Sequence, residues 1–289
     1  MDPLWAARQF KHAAFVASKR LGFWLRDTAE HINDVRWKAA EERSPFHYDP
    51  DRYRHTFLAR PDVIASNNRS VPSLVYSFWL GPRPMSKRRL ASLRALESEL
   101  DVPLVLVTDE TVNEFLVDGH PLHPAYSLLS DGHRSDYLRT YFMHHHGGGY
   151  SDIKRPTSSW TASFQAIADQ TETWAVGYRE VTSNYVPDLP RYLGKDIKRH
   201  YRAVFGPSAF IVRPSTSLTS EWYREMHSRM EYFAGALAES PGSDFYNPAA
   251  GYPIRWTELL GDVLQPLCLK YQDRLLFDDR VKPVLTDYR

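Results

Sequence analysis

The residues of this 289-residue chain whose types and spacing could do chemistry fall in one stretch. It runs Ser135-Asp136-Tyr137-Leu138-Arg139 and then Gly147-Gly148-Gly149-Tyr150-Ser151-Asp152-Ile153-Lys154. Asp136 and Arg139 stand three apart, which on a helix sets both on one face. Alone, such a pair reads as a surface salt bridge. The sequel gives it weight: the glycines let backbone approach its neighbours closely, and Tyr150, Asp152 and Lys154 then alternate onto one face of an extended segment. Carboxylates accept hydrogen bonds from sugar or ribose hydroxyls, and cations face the oxygens of a diphosphate. Holding a sugar nucleotide is a task suited to this set.

The elements needed to position these residues are legible on either side. Residues 73–80, Ser-Leu-Val-Tyr-Ser-Phe-Trp-Leu, predict a buried strand closed by Gly81-Pro82. Residues 86–100 predict a helix, with Leu90, Leu93, Leu96 and Leu100 at helical spacing and Ser86 as N-cap. Residues 102–107 predict a second strand ending at Thr108-Asp109, so strand, helix and strand fit the length of a βαβ unit. Open α/β sheets bind ligands beyond the carboxyl ends of their strands, which makes Trp79 and Asp109 candidate pocket residues, although most residues there are turn formers. His133 to His146 predicts a helix stopped by the glycines in a left-handed conformation. Further strands are predicted at 150–154, 173–178 and 209–212, the last after a turn at Gly206-Pro207.

Ahead of these, residues 1–38 interleave Leu4, Trp5, Phe15, Leu21, Trp24 and Leu25 with Arg8, Lys11, Lys19, Arg20 and Arg26, a basic amphipathic helical pattern. Such a helix packs on its own domain or lies on an anionic membrane surface. Residues 44–69, rich in Pro, Asp, Arg and Asn, read as a connector. The predicted division is an N-terminal helical extension with its connector, 1–70, and an α/β domain, 71–289.

The order Ser-Asp-x-Leu-Arg, a turn or two of helix, then Gly-Gly-x-Tyr-x-Asp resembles the sugar-binding region of glycosyltransferase family 32. That family includes bacterial capsular polysaccharide synthesis proteins and, more distantly, the large clostridial glucosylating toxins. The resemblance is dense over Ser135 to Lys154, with support from the aromatic strand near Trp79 and from Gly206-Pro207. It implies an α/β, GT-A type nucleotide-diphospho-sugar transferase fold, Rossmann-like, with a nucleotide-sugar donor, a saccharide or glycoconjugate acceptor and retention of anomeric configuration. Carried over, it implies that Asp136 and Arg139 contact the donor sugar and phosphate, with Tyr150 beside them. Asp152 becomes the first acid of an Asp-x-Asp, and Phe78 or Trp79 lines the base pocket.

The sequence departs from the family at Lys154, where the second acid would ligate a divalent metal. A further metal ligand that many relatives supply as a histidine near the C-terminus has no counterpart, since the last histidine is His227. Charge developing on a departing nucleoside diphosphate must still be stabilised. A lysine ammonium can do this as a point charge. The expectation is metal-independent transfer with Asp152 and Lys154 as the candidate catalytic pair and Arg139 and Arg155 completing a cationic clamp. The alternative keeps Mn or Mg on Asp152. The bland reading turns Lys154 to solvent and leaves a non-catalytic sugar-nucleotide- or carbohydrate-binding relative. A third possibility is phosphosugar transfer, which would release a nucleoside monophosphate.

Composition bounds these readings. Lys and Arg number 36 against 35 Asp and Glu, so no global field draws in nucleic acid. The 17 Tyr and 8 Trp supply faces with polar edges, suited to bases, sugars or a large aromatic core. Cys268, the single cysteine, rules out an internal disulfide and sits between leucines as a packing residue. No apolar run reaches the roughly 20 residues of a bilayer span. The expected location is cytoplasmic, with the inner-membrane surface accessible through residues 1–38. His144-His145-His146 occupy successive helix positions and face different ways, a poor arrangement for metal binding. Asn68-Arg69-Ser70 matches a glycosylation acceptor without a secretion signal. Asn247 to Leu260, with Tyr252, Arg255, Trp256 and Glu258, reads as a core-packing helix or an acceptor-side wall, and buried aromatics favour the helix. No P-loop, Gly-x-Ser-x-Gly elbow or spaced zinc cluster occurs.

Overall fold

The computed structural model describes residues 32–63, 69–243 and 251–286. Most of the basic amphipathic stretch, and Asn68 of the Asn68-Arg69-Ser70 triplet, lie outside them. Residues 32–43 are helical, and no helix among the described residues is long and apolar enough to cross a membrane.

The described residues form a mixed α/β structure around one six-stranded sheet. The strands are β1 (Val75–Phe78), β2 (Leu104–Val107), β3 (Gly148–Ser151), β4 (Ala175–Arg179), β5 (Phe205–Val212) and β6 (Leu275–Phe277), in spatial order β2-β1-β3-β5-β4-β6. Strand β5 is antiparallel to both neighbours, and the remaining pairs are parallel. After the helical residues 32–43, the α-helices among the described residues are α1 (Lys87–Glu99), α2 (Asp131–His145), α3 (Thr161–Asp169), α4 (Arg191–Arg199), α5 (Ser217–Glu239) and α6 (Gly261–Lys270). The topology is consistent with a Rossmann-like fold.

Alternation along the strands divides the core between the two faces of the sheet. Tyr76, Phe78, Tyr150, Phe210 and Val212 join α2, α5 and α6 in one cluster, whereas Val75, Val176, Ala209 and Ile211 join α1 and α3 in the other. Both clusters are fully buried at their centres, where Leu96, Ile167, Phe142 and Trp222 have no exposed surface. Ser86 caps α1 as predicted, accepting from the Arg89 amide. Leu93, Leu96 and Leu100 are buried, but Leu90, read as part of the apolar face, is 40% exposed. Residues 44–63 are more ordered than a connector suggests: Tyr53 is buried and donates to Asp196 at 2.9 Å, and Lys270 reaches the Leu58 carbonyl at 3.4 Å.

Two sequence expectations are corrected by the strands. The extended segment expected at 150–154 begins earlier, at Gly148, and ends at Ser151. Gly149 permits this, since a Cβ there would stand 2.9 Å from Val75 Cγ2 and 3.0 Å from the Trp160 ring. Gly206-Pro207 is not a turn before β5 but lies within it. The β4–β5 register pairs Gly177 with Phe210 and Arg179 with Phe205, so residues 206–209 stand opposite the single residue Tyr178. That is a bulge, one of the places a sheet tolerates proline, and bulges re-aim side chains.

Candidate active site

The sheet sets the site by its topology. From β1 the chain crosses through α1 to β2 on one side, then returns through α2 to β3 on the other. The carboxyl ends of β1 and β3 therefore flank a topological switch point, where open α/β sheets hold ligands. A cleft of about 350 Å³ opens there, and Phe78, Trp79, Asp136, Arg139, Tyr150, Asp152 and Lys154 all line it. These seven of the residues named from the sequence are thus brought to one place.

Helix α2 delivers Asp136 and Arg139. Ser130 caps its start, accepting from the His133 amide, so it begins two residues before the predicted His133. Its end is the predicted glycine stop: Gly147 has φ +68°. Arg139 is only 6% exposed and is anchored rather than free. It donates to the Pro207 carbonyl at 2.8 Å and to the Tyr150 hydroxyl at 2.7 Å, and lies 3.4 Å from Asp152 Oδ1 and 3.5 Å from Asp136 Oδ1. Its guanidinium also stacks 4.0 Å over the Tyr150 ring. Arg139 Nε is buried and makes no hydrogen bond.

Asp152 sits at the centre of the network. Its Oδ1 accepts from the Tyr150 hydroxyl at 2.7 Å, and its Oδ2 lies 2.9 Å from Lys154 Nζ. Burial alone would raise its pKa, but the Lys154 and Arg139 charges overcome that and hold it down to about 2. Burial pushes Asp136 the other way, above the usual carboxylate value, with Arg139 and His133 opposing. Tyr150 is raised well above an ordinary phenol by burial and remains a donor.

Lys154 reaches this position by a turn, not by strand alternation. After β3 ends, the Lys154 amide bonds to the Asp152 carbonyl at 2.6 Å, folding the ammonium back over the acid. Lys154 Nζ also donates to Ser208 Oγ at 2.9 Å, a hydroxyl presented by the β5 bulge. The bulge is tied down by the Asp152 amide, which bonds to the Ser208 carbonyl at 2.7 Å. The lysine is buried, which removes the reading in which it points to solvent.

Both Asp152 oxygens already face hydrogen-bond donors, and an entering metal would meet an ammonium and a guanidinium at close range.

Two expected residues do not join. Arg155 turns away and pairs with Glu99 of α1 at 2.9 Å, because the turn after β3 that folds Lys154 back over Asp152 directs the next side chain elsewhere. Asp109 does not line the cleft; it supports the rim, accepting from the Gly81 amide and from Arg134, each at 2.8 Å. Sequence reading missed Arg89, Tyr185 and Ser208 as lining residues. Arg89 donates to the Ile153 carbonyl at 2.6 Å and so braces the turn that carries Lys154. Its position three residues after the Ser86 cap, at the sheet edge where ligands bind, was the available signal.

The segment before α6 is also corrected. Residues 252–255 are irregular and 256–260 form turns, not a core helix; residues 247–250 lie outside the described residues. His133 holds this segment against α2, through Tyr252 Oη at 2.9 Å and the Arg255 carbonyl at 3.1 Å. Trp256 consequently lines the cleft while 63% exposed. The three consecutive histidines pack among rings: His144 stacks on Tyr223 at 4.7 Å, and His145 lies tilted against Tyr141 at 4.4 Å.

No family model matches the chain, and no curated protein matches it. Among solved structures, it is similar to one named "PaToxG Glycosyltransferase", at 10% identity and a TM-score of 0.37, over 85% of this chain and 78% of that one. A likeness that loose transfers no activity, so the functional argument rests on the site.

Proposed function

We propose that the chain is a glycosyltransferase of GT-A type, moving a sugar from a nucleotide-diphosphate donor to a hydroxyl acceptor in bacterial surface-polysaccharide or glycoconjugate synthesis. The observation that carries this reading is the convergence of Asp136, Arg139, Tyr150, Asp152 and Lys154 in one cleft at the β1–β3 switch point, beside Phe78 and Trp79. An aromatic strand end suits a base, acids suit sugar hydroxyls, and buried cations suit a diphosphate.

In the reaction, the anomeric carbon forms a bond to the acceptor oxygen and breaks its bond to the β-phosphate oxygen. The acceptor proton leaves with the nucleoside diphosphate or to water. By the family resemblance, configuration is retained. Lys154 carries the charge stabilisation: its ammonium is pre-oriented by Asp152 and Ser208, so little reorganisation is needed as the leaving group gains charge. Arg139 holds the frame, through the Pro207 carbonyl and the Tyr150 hydroxyl.

Hydrolysis of a panel of nucleotide sugars, followed with and without EDTA and with added Mn, tests this. Slow release of nucleoside diphosphate that survives EDTA and is lost in Asp152→Ala is the expected result. Strict Mn dependence would remove the lysine mechanism. Release of a nucleoside monophosphate would instead identify phosphosugar transfer, and donor binding without any release would identify a non-catalytic binder.

A further inference from the structure

Tyr185 and Trp256 are 60% and 63% exposed, and of the large exposed apolar side chains described they are the ones that line the cleft. Aromatic rings left in water beside a polar cleft point to recognition. Their place is asymmetric. Trp79 follows β1, on one side of β3 in the sheet order, whereas Tyr185 follows β4, on the other. The two segments carrying Tyr185 and Trp256 adjoin, since a Cβ on Gly261 would lie 3.5 Å from Thr257 and 3.9 Å from Pro187. Asp152 and Lys154, after β3, stand between the two halves.

We propose that Tyr185 and Trp256 form the acceptor subsite and take a saccharide ring by stacking on its C–H face. This rests on the glycosyl-transfer reading and deepens it by naming the acceptor class. The rings fit a sugar because each combines a flat apolar face with a polar edge, and Ser208 and Thr257 line the same cleft with hydroxyls of their own. A lipid tail would call for a continuous aliphatic surface, and the remaining large exposed apolar residues described, Tyr192 and Tyr232 among them, do not line the cleft. The nucleobase has its own platform at Trp79, whose indole N–H is spent on the Arg83 carbonyl at 2.9 Å and which therefore offers a face.

The test uses the full chain, its Tyr185→Ala and Trp256→Ala variants, and the ring-preserving Trp256→Phe. Methyl glycosides of glucose, galactose, mannose and N-acetylglucosamine are the saccharide probes, read by saturation-transfer NMR. UDP and GDP are titrated calorimetrically in parallel. At least one glycoside should receive saturation at its ring protons. Its affinity should fall about tenfold or more in each alanine variant and return in Trp256→Phe, with nucleotide affinity within about twofold of wild type. Glycoside binding that is absent, or unchanged in the variants, overturns the subsite. A tenfold loss of nucleotide affinity in Trp256→Ala also overturns it, by assigning that ring to the donor. Failure of both nucleotides to bind would count against glycosyl transfer itself, while the glycoside arm still reads the platform.

Discussion

Lys154 Nζ lies 2.9 Å from Asp152 Oδ2, so the cation at the end of the motif closes directly onto the acid two residues before it. The pair is shielded: the Lys154 side chain is 8% exposed and that of Asp152 28%. Charges in such a place persist only when their hydrogen bonds are complete, and Tyr150, Arg139 and Ser208 supply them. The relationship makes Lys154 part of a preorganised network, and most of the consequences below follow from that.

Replacing Lys154 with Gln should lower donor turnover by about 10²–10³-fold, the usual cost of removing one preorganised charge-stabilising donor. Lys154→Arg should recover part of it. Initial rates of nucleoside diphosphate release across the series measure this, and unchanged turnover in Lys154→Gln would remove the lysine from the chemistry.

Asp152→Ala should also cost stability, about 3 kcal/mol, because it leaves the ammonium buried without its partner. The double variant Asp152→Ala with Lys154→Met should be more stable than Asp152→Ala alone. Urea denaturation of all four forms closes the cycle.

Burial depresses His144 to about 4 and His145 to about 3, with His120 and His227 opposing further charge and Arg69 acting on His144. The unfolded imidazoles ionise near about 6.5, so the unfolded chain binds protons that the folded one refuses. Their contribution to stability is complete above that value and is lost as pH falls toward the folded values. Each histidine should cost at most about 1.4 kcal/mol per pH unit across that window. Thermal midpoints between pH 7.5 and 5 should fall, and His145→Phe should flatten the slope.

Gly147→Ala should destabilise the fold by about 1–3 kcal/mol, since φ is +68° and the new Cβ would meet Pro214 Cδ at 2.4 Å. The glycines would then be confirmed as structural punctuation that sets the start of β3. Chemical denaturation reads it, and a neutral result would show that the turn can relax.

Cys268 is fully buried and its thiol is pushed up to about 12 by burial. It should not react with an aromatic disulfide reagent in the folded protein and should react completely in guanidinium. Fast labelling of the native chain would mean that α6 opens.

Much of the site was legible in the sequence because its parts are local. The Ser86 cap, the apolar strands and the glycine stop each follow from a few adjacent residues, and they put Phe78 and Trp79 at the end of the first strand, Asp136 and Arg139 on the helix, and Tyr150 and Asp152 on the extended segment after the glycines. What the sequence by itself determined was this inventory of charged and aromatic groups and their attachment to an α/β sheet. The tertiary structure alone decided which of them meet. Gly206-Pro207 reads as a turn by composition, yet pairing with β3 and β4 makes it a bulge that aims Ser208 at Lys154. Arg155 and Lys154 are adjacent cations, and only the turn after β3 separates them, sending one to Glu99 and the other to Asp152. Arg89, Tyr185 and Trp256 come from three distant segments. Their meeting depends on strand order and loop packing, long-range properties that no local pattern of residues encodes.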